Sequence, residues 1–184
     1  MKKYIAIFAI LIATATTTQA QKYFTRAGYL GFFSDTKMED IKGDNNKVNF
    51  VLDAATGQLE ISGLIKAFEF EKALMQEHFN ENYMESDTHP KTSFKGKVDN
   101  MAGVNLKKDG TYSSKVTGDL TMHGVTKKVT VDATFKVAGG KITCESKFDV
   151  VPEDYKITIP GTVRDNIASK IAVTAKANLE ELKK

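Results

Sequence analysis

The sequence predicts a mostly β domain, an antiparallel barrel of about eight strands with one amphipathic helix over about residues 71–84 and a short second helix over about 163–168. Three observations lead there. Period-two alternation of apolar and polar residues recurs along most of the chain. Short clusters rich in Gly, Asp and Thr separate the alternating runs, as turns require. One stretch, Glu71 to Tyr83, switches instead to a helical period.

The clearest strand runs from Val125 to Val137. Val125, Lys127, Val129, Val131, Ala133, Phe135 and Val137 fall on one, nearly all apolar face, and Thr126, Lys128, Thr130, Asp132, Thr134 and Lys136 on the other. Ala138-Gly139-Gly140 turns the chain, and Ile142, Cys144, Ser146, Phe148 and Val150 resume the alternation, which makes a hairpin. Val48, Phe50 and Leu52 form a similar row, followed by the turn Asp53 to Gly57 and by Leu59 and Ile61. Further inward rows are Thr92, Phe94, Gly96, Val98, then Tyr112 to Met122 at even positions, then Ile171, Val173, Ala175, Ala177, Leu179. A first strand starts near Tyr29 to Phe33. In the helical stretch Met75, Phe79 and Tyr83 stand at i, i+4 and i+8, with Leu74 and His78 beside them. The helix is expected to end before His89-Pro90, because a residue preceding proline is pushed out of the helical region. The second helix follows Pro160-Gly161.

Residues 1–20 read as a secretory signal peptide, with Met1-Lys2-Lys3, an apolar run from Tyr4 to Ala13, and small residues at Thr18-Gln19-Ala20. A run of about ten residues is too short to cross a ~30 Å hydrocarbon core; a retained anchor is the alternative. Cleavage after Ala20 leaves residues 21–184 as one domain, periplasmic or secreted. It removes two of the 26 basic residues and none of the 23 acidic ones, so 24 face 23 and the net charge is +1. That balance offers no electrostatic footprint for nucleic acid. The single cysteine, Cys144, excludes an internal disulfide, and its apolar face argues for a buried thiol over a reactive one.

No nucleophile elbow, phosphate loop or dinucleotide fingerprint occurs. His78, His89 and His123 are the three histidines, and no two stand at metal-ligand spacing, so neither a metal site nor a catalytic residue is expected. His123 sits beside Gly124 at a strand end and reads as a turn histidine bonding to backbone. The acidic stretches Asp35 to Asp40 and Glu77 to Asp87 read as solvated faces. The inward rows carry almost no charge and many small residues, among them Gly96, Gly118, Ala133, Cys144 and Ala175. An eight-stranded barrel is filled by its side chains or holds one small ligand. The rows fit both a packed core and an elongated apolar cavity, and the helix would cap the mouth of the latter.

Leu74-Met75-Gln76-Glu77-His78-Phe79-Asn80-Glu81-Asn82-Tyr83-Met84-Glu85-Ser86, followed by His89-Pro90-Lys91-Thr92-Ser93-Phe94-Lys95-Gly96, resembles the YceI-like family of exported bacterial proteins. So does Gly118-Asp119-Leu120-Thr121-Met122-His123-Gly124-Val125-Thr126-Lys127. The resemblance covers roughly residues 22–182. It implies a lipocalin-like extended barrel with a helix-bearing insertion, and better-known members bind polyisoprenoid chains, quinone-like molecules included, in an interior tunnel. The segment Phe32 to Ile41 departs from the family's commoner pattern, which has a histidine or arginine there, so the apolar lining carries over more readily than any head-group contact.

Together these readings lead to a carrier of a long apolar ligand (polyisoprenoid, quinone-like or acyl lipid). Its expected lining is Phe32, Phe50, Leu64, Phe68, Phe70, Met75, Phe79, Tyr83, Phe94, Leu120 and Phe135. A bound isoprenoid or fatty-acyl lipid is the only cofactor-like group expected, with transient membrane contact and with pairing of two chains left open. The rival readings are a ligand-free envelope stress or interaction scaffold with a filled core, and an enzyme using His123 or His78.

Overall fold

The computed structural model describes residues 21–182, so the expected signal segment lies outside the described residues. Eight strands follow in order: β1 (Lys22–Asp35), β2 (Asp40–Asp53), β3 (Gln58–Leu64), β4 (Lys91–Val98), β5 (Gly110–Met122), β6 (Val125–Ala138), β7 (Lys141–Val150) and β8 (Ile171–Glu181). Each pairs antiparallel with the next, and β8 pairs with β1 to close the barrel. Closure leaves no unpaired sheet edge. No helix among the described residues is long and apolar enough to cross a membrane.

The connections divide into two sets. At one end the chain turns tightly through Gly57 and through Gly139-Gly140, all three at positive φ, where glycine carries no steric penalty. There the interior is solid. Leu52, Val98 and Phe135 are fully buried and pack with Val137, Ile142 and Leu179. At the opposite end lie the β1–β2 tip, the His123-Gly124 turn and two long connections, 65–90 and 151–170. The expected helix is α1 (Ala73–His78), continued by a π-helical turn, Phe79–Tyr83, in which the Met84 amide donates to the Phe79 carbonyl. The segment expected at 163–168 is a 3₁₀ helix, Gly161–Asn166, starting directly after Pro160.

Several sequence expectations need correction. Leu64 does not face the interior. Leu59, Ile61, Gly63 and Ile65 share the inner face, so the residue between the last two points outward and is 50% exposed. Phe135 is inward but fully enclosed at the solid end, and borders neither of the two cavities beneath the cap. Leu74 is 60% exposed, on the outer side of α1. Gly96 and Gly118 are not cavity-forming gaps. They pair across β4 and β5, and a Cβ on either would run into the Phe94 ring and the neighbouring backbone. Their absent side chains are the space in which Phe94 lies. Cys144 is buried as expected, and burial, reinforced by Glu145, pushes its thiol up to about 12.

The packed end carries the barrel's stability. Phe135→Ala should cost about 3–5 kcal/mol, the usual range for emptying an aromatic core site, and Leu64→Ala less than about 0.5 kcal/mol. Urea unfolding of the two variants checks this; comparable losses would contradict the assignment.

Candidate ligand-binding site

The open end owes its shape to a short ladder. β2 and β3 pair only from Asn49↔Ser62 to Leu52↔Leu59, so beyond that point the two strands separate. The gap is closed by other means. The buried Asn45 side chain donates to the Leu64 carbonyl (3.0 Å) and accepts from the Lys47 amide (2.8 Å). The chain after β3 then returns to β2, where Asp44 and Glu69 exchange backbone bonds of 3.0 and 2.8 Å. That pairing aims Phe68 and Phe70 inward on either side of Glu69.

These rings meet Phe32 of β1 and Phe79 of the helical segment. Phe79 lies 5.3 Å from Phe32, 5.4 Å from Phe68 and 5.0 Å from Phe70, centroid to centroid. Separations of this size are those of favourable aromatic pairs, each contributing about 0.5–1.5 kcal/mol beyond area burial. The cluster holds the helical segment over the barrel mouth. The π turn adds a residue to the face it presents, since Met84, five residues after Phe79, is the most deeply buried member of the segment. From the other side Pro152, Ile157, Ile159, Val163 and Ile167 of the β7–β8 connection complete the cap. Ser34 fixes that connection to β1 by accepting the Ala168 amide at 2.9 Å.

Beneath the cap is a cavity of about 270 Å³. A second, of about 60 Å³, lies deeper among Phe50, Leu59, Phe94, Val131, Ala133 and Cys144. Leu30, Thr92, Leu120 and Phe148 line both, so these four side chains form the constriction between two compartments. Two polar groups on the inner wall are already engaged: Thr92 donates to the Thr121 carbonyl and Ser34 accepts as above. Polar atoms otherwise gather at the rim, where Glu39 takes Lys72 Nζ at 3.1 Å and Asn166 Nδ2 at 3.4 Å. The bond from Lys72, with that from Asn166, holds the Glu39 carboxyl below its ordinary value. A depressed carboxylate stabilises above its unfolded-state value and ceases to do so as pH falls through the folded one, so this tie between helix, hairpin and 3₁₀ segment loosens only in acid. Glu39 is therefore a rim contact, not the wholly solvated acid the sequence suggested.

Of the residues expected as lining, Phe32, Phe68, Phe70, Met75, Phe79, Tyr83 and Leu120 border the large cavity, and Phe50, Phe94 and Leu120 the small one. Leu64 and Phe135 border neither. Sequence reasoning missed Met84 and the Ile157/Ile159 pair, and read Met122 as inward without counting it as lining. The alternation Tyr155, Ile157, Ile159 was the signal for the last two, and proline-flanked brevity obscured it. His123, at φ 50° in its two-residue turn, has Nδ1 3.0 Å from the Tyr155 carbonyl, so it does bond to backbone.

A closed eight-stranded antiparallel barrel, solid at one end and capped over an apolar cavity at the other, is the architecture of small-ligand-binding barrels. The chain belongs to the YceI-like family, whose domain matches residues 13–179. Its fold is similar to a polyisoprenoid-binding domain from Saccharophagus degradans implicated in plant cell wall breakdown, with 14% identity, TM-score 0.76, and 89% of this chain and 100% of that one covered. It is also similar to BcnA of Burkholderia cenocepacia (14% identity, TM-score 0.67, 83% and 96% covered) and to a YceI protein of Campylobacter jejuni (18% identity, TM-score 0.53, 100% of both covered). No curated protein matches.

Phe79 is the keystone of the cap. Phe79→Ala removes three aromatic pairs, together at least about 1.5 kcal/mol, or roughly tenfold in local opening. Amide exchange should accelerate by about that factor through residues 73–84 and stay unchanged in β5 to β7; unaltered exchange in 73–84 would contradict this role.

Proposed function

We propose that the protein binds and carries a long apolar molecule, an isoprenoid or acyl lipid, with its tail under the cap and its polar head at the rim. The observation that carries this reading is the cavity's chemistry: a wall of mostly apolar side chains, whose Thr92 and Ser34 hydroxyls are already bonded within the protein. Such a wall offers a ligand burial and little else. Burial alone stabilises by about 0.8 kcal/mol per CH₂, so an apolar chain gains affinity without directed contacts. The family membership and the similarity to a polyisoprenoid-binding domain support the same class of ligand.

At about 270 Å³ the large compartment falls just below the ~300–1,000 Å³ of most small-molecule sites. A long tail therefore reaches the deeper compartment by displacing Leu120 and Phe148 at the constriction. Glu39, Asn166 and His78 at the rim are suited to a hydroxyl or other uncharged hydrogen-bonding head. In this reading the protein works in the periplasm or outside the cell, and the exposed Met38 and Leu74, both at the open end, touch the membrane during loading. Binding, not catalysis, is the activity.

Native mass spectrometry of protein taken from its own envelope without detergent, followed by organic extraction, tests this. A stoichiometric isoprenoid or acyl species should accompany the protein, and a folded Val173→Trp variant, which projects an indole into the large compartment, should lose it. A clean apo mass would favour the ligand-free scaffold; lipid retained by the folded variant would place the ligand elsewhere.

A further inference from the structure

Away from the cavity wall, three residues that the sequence keeps apart come together. Glu85 and His89 stand four apart in the β3–β4 connection, where the Glu85 carbonyl accepts the Thr88 and His89 amides at 2.9 and 2.8 Å and folds the segment into a tight turn. His123 arrives from the β5–β6 turn. The His89 and His123 rings meet edge to face with centroids 4.8 Å apart, in the space left by Gly124, whose missing Cβ would strike the His89 ring. One ligand-type atom from each of the three residues lies within 4.8 Å of the other two.

His123 has the disposition of a metal ligand. Its Nδ1 is 3.0 Å from the Tyr155 carbonyl, which accepts only if Nδ1 carries the proton. That fixes the tautomer and leaves Nε2 with a bare lone pair. The side chain is nine-tenths buried, Nε2 has no hydrogen-bond partner, and it is 3.8 Å from Glu85 Oε1, too far for a hydrogen bond. A buried acceptor with nothing to accept is costly. An imidazole held by a backbone carbonyl on one nitrogen and open on the other is the arrangement that metal-binding histidines adopt.

We infer that Glu85, His89 and His123 form a binding site for a divalent transition metal of the zinc type. Two imidazoles and a carboxylate suit zinc, copper or nickel over magnesium or calcium, which prefer all-oxygen shells. Tetrahedral ligands about 2.1 Å from zinc stand about 3.4 Å apart. Glu85 is exposed and His89 half-buried, so modest side-chain rotations close the set around Nε2, with a fourth position left to water. The ion would join the 85–89 turn to the 123–124 turn and, through Tyr155, to the β7–β8 connection. Met84 and Met122, each adjacent to a ligand in sequence, line the cavity, so the ion would tie down the cap whatever the cavity carries.

The test is calorimetric titration of chelator-treated protein with Zn²⁺ at neutral pH, alongside a long-range ¹H–¹⁵N spectrum of the ring nitrogens. With three histidines in the chain, assignment is direct. One Zn²⁺ should bind per chain, with the His89 and His123 nitrogens shifting and those of His78 unmoved. Glu85→Gln or His89→Gln should weaken binding about tenfold or more, at least the loss that an outer partner of a ligand brings. No saturable uptake, or uptake that leaves the His89 and His123 nitrogens of the unsubstituted protein in place, would overturn the assignment.

Discussion

The β2–β3 ladder stops after four residue pairs, and the character of the molecule follows from that early stop. Eight antiparallel strands closed into a barrel enclose an interior that side chains can fill completely. At the end where every strand is paired with its neighbours they do fill it, around Leu52 and Phe135. Where β2 and β3 part, the wall must be rebuilt from the returning chain at Glu69, and the rings this delivers, Phe68 and Phe70, need an apolar partner. The helical segment supplies it through Phe79. A cap held by aromatic contacts rather than a continuous sheet leaves room beneath it.

That division separates two tasks. The solid end holds the fold together and tolerates little change in volume. The capped end is held by ring contacts, one buried serine bond, the Glu39 tie and the turns around His123, each weak enough singly for local opening without loss of the barrel. A site that admits a bulky apolar molecule needs such an opening, because its entrance is otherwise covered. The polar groups fit this arrangement. Thr92 and Ser34 on the wall are bonded internally and the groups at the rim are accessible, so the proposed ligand would cross from a wet surface to a dry interior along one direction.

Much of the fold was legible because alternation is a direct consequence of one buried sheet face. β6 is the plainest example: its apolar odd positions are the inward ones throughout. The same rule, applied strictly from Leu59, would have turned Leu64 outward; treating it as lining broke the pattern. What alternation cannot do is distinguish a filled interior from a hollow one. Phe135 and Phe94 read as equally inward, yet one is sealed in the core and the other borders a cavity, because the difference lies in where the strands stop pairing. Gly96 and Gly118 mislead for a related reason: they mark close backbone approach, not empty space. The Glu85, His89 and His123 grouping was not legible in the spacing, since its members meet only through the β4–β5 register, in which Ser93 pairs with Thr121.

The proposed entry of apolar ligands at the capped end, and nowhere else, has natural reporters in the methionines. Met75, Met84 and Met122 line the large cavity, whereas Met101 packs against the solid end. The most direct measurement is a methyl ¹³C spectrum of methionine-labelled protein during titration with a long-chain isoprenoid alcohol. Saturable shifts at Met75, Met84 and Met122 with Met101 unmoved are predicted. Saturation without shifts at those three methyls, or shifts as large at Met101, would rule out binding beneath the cap alone.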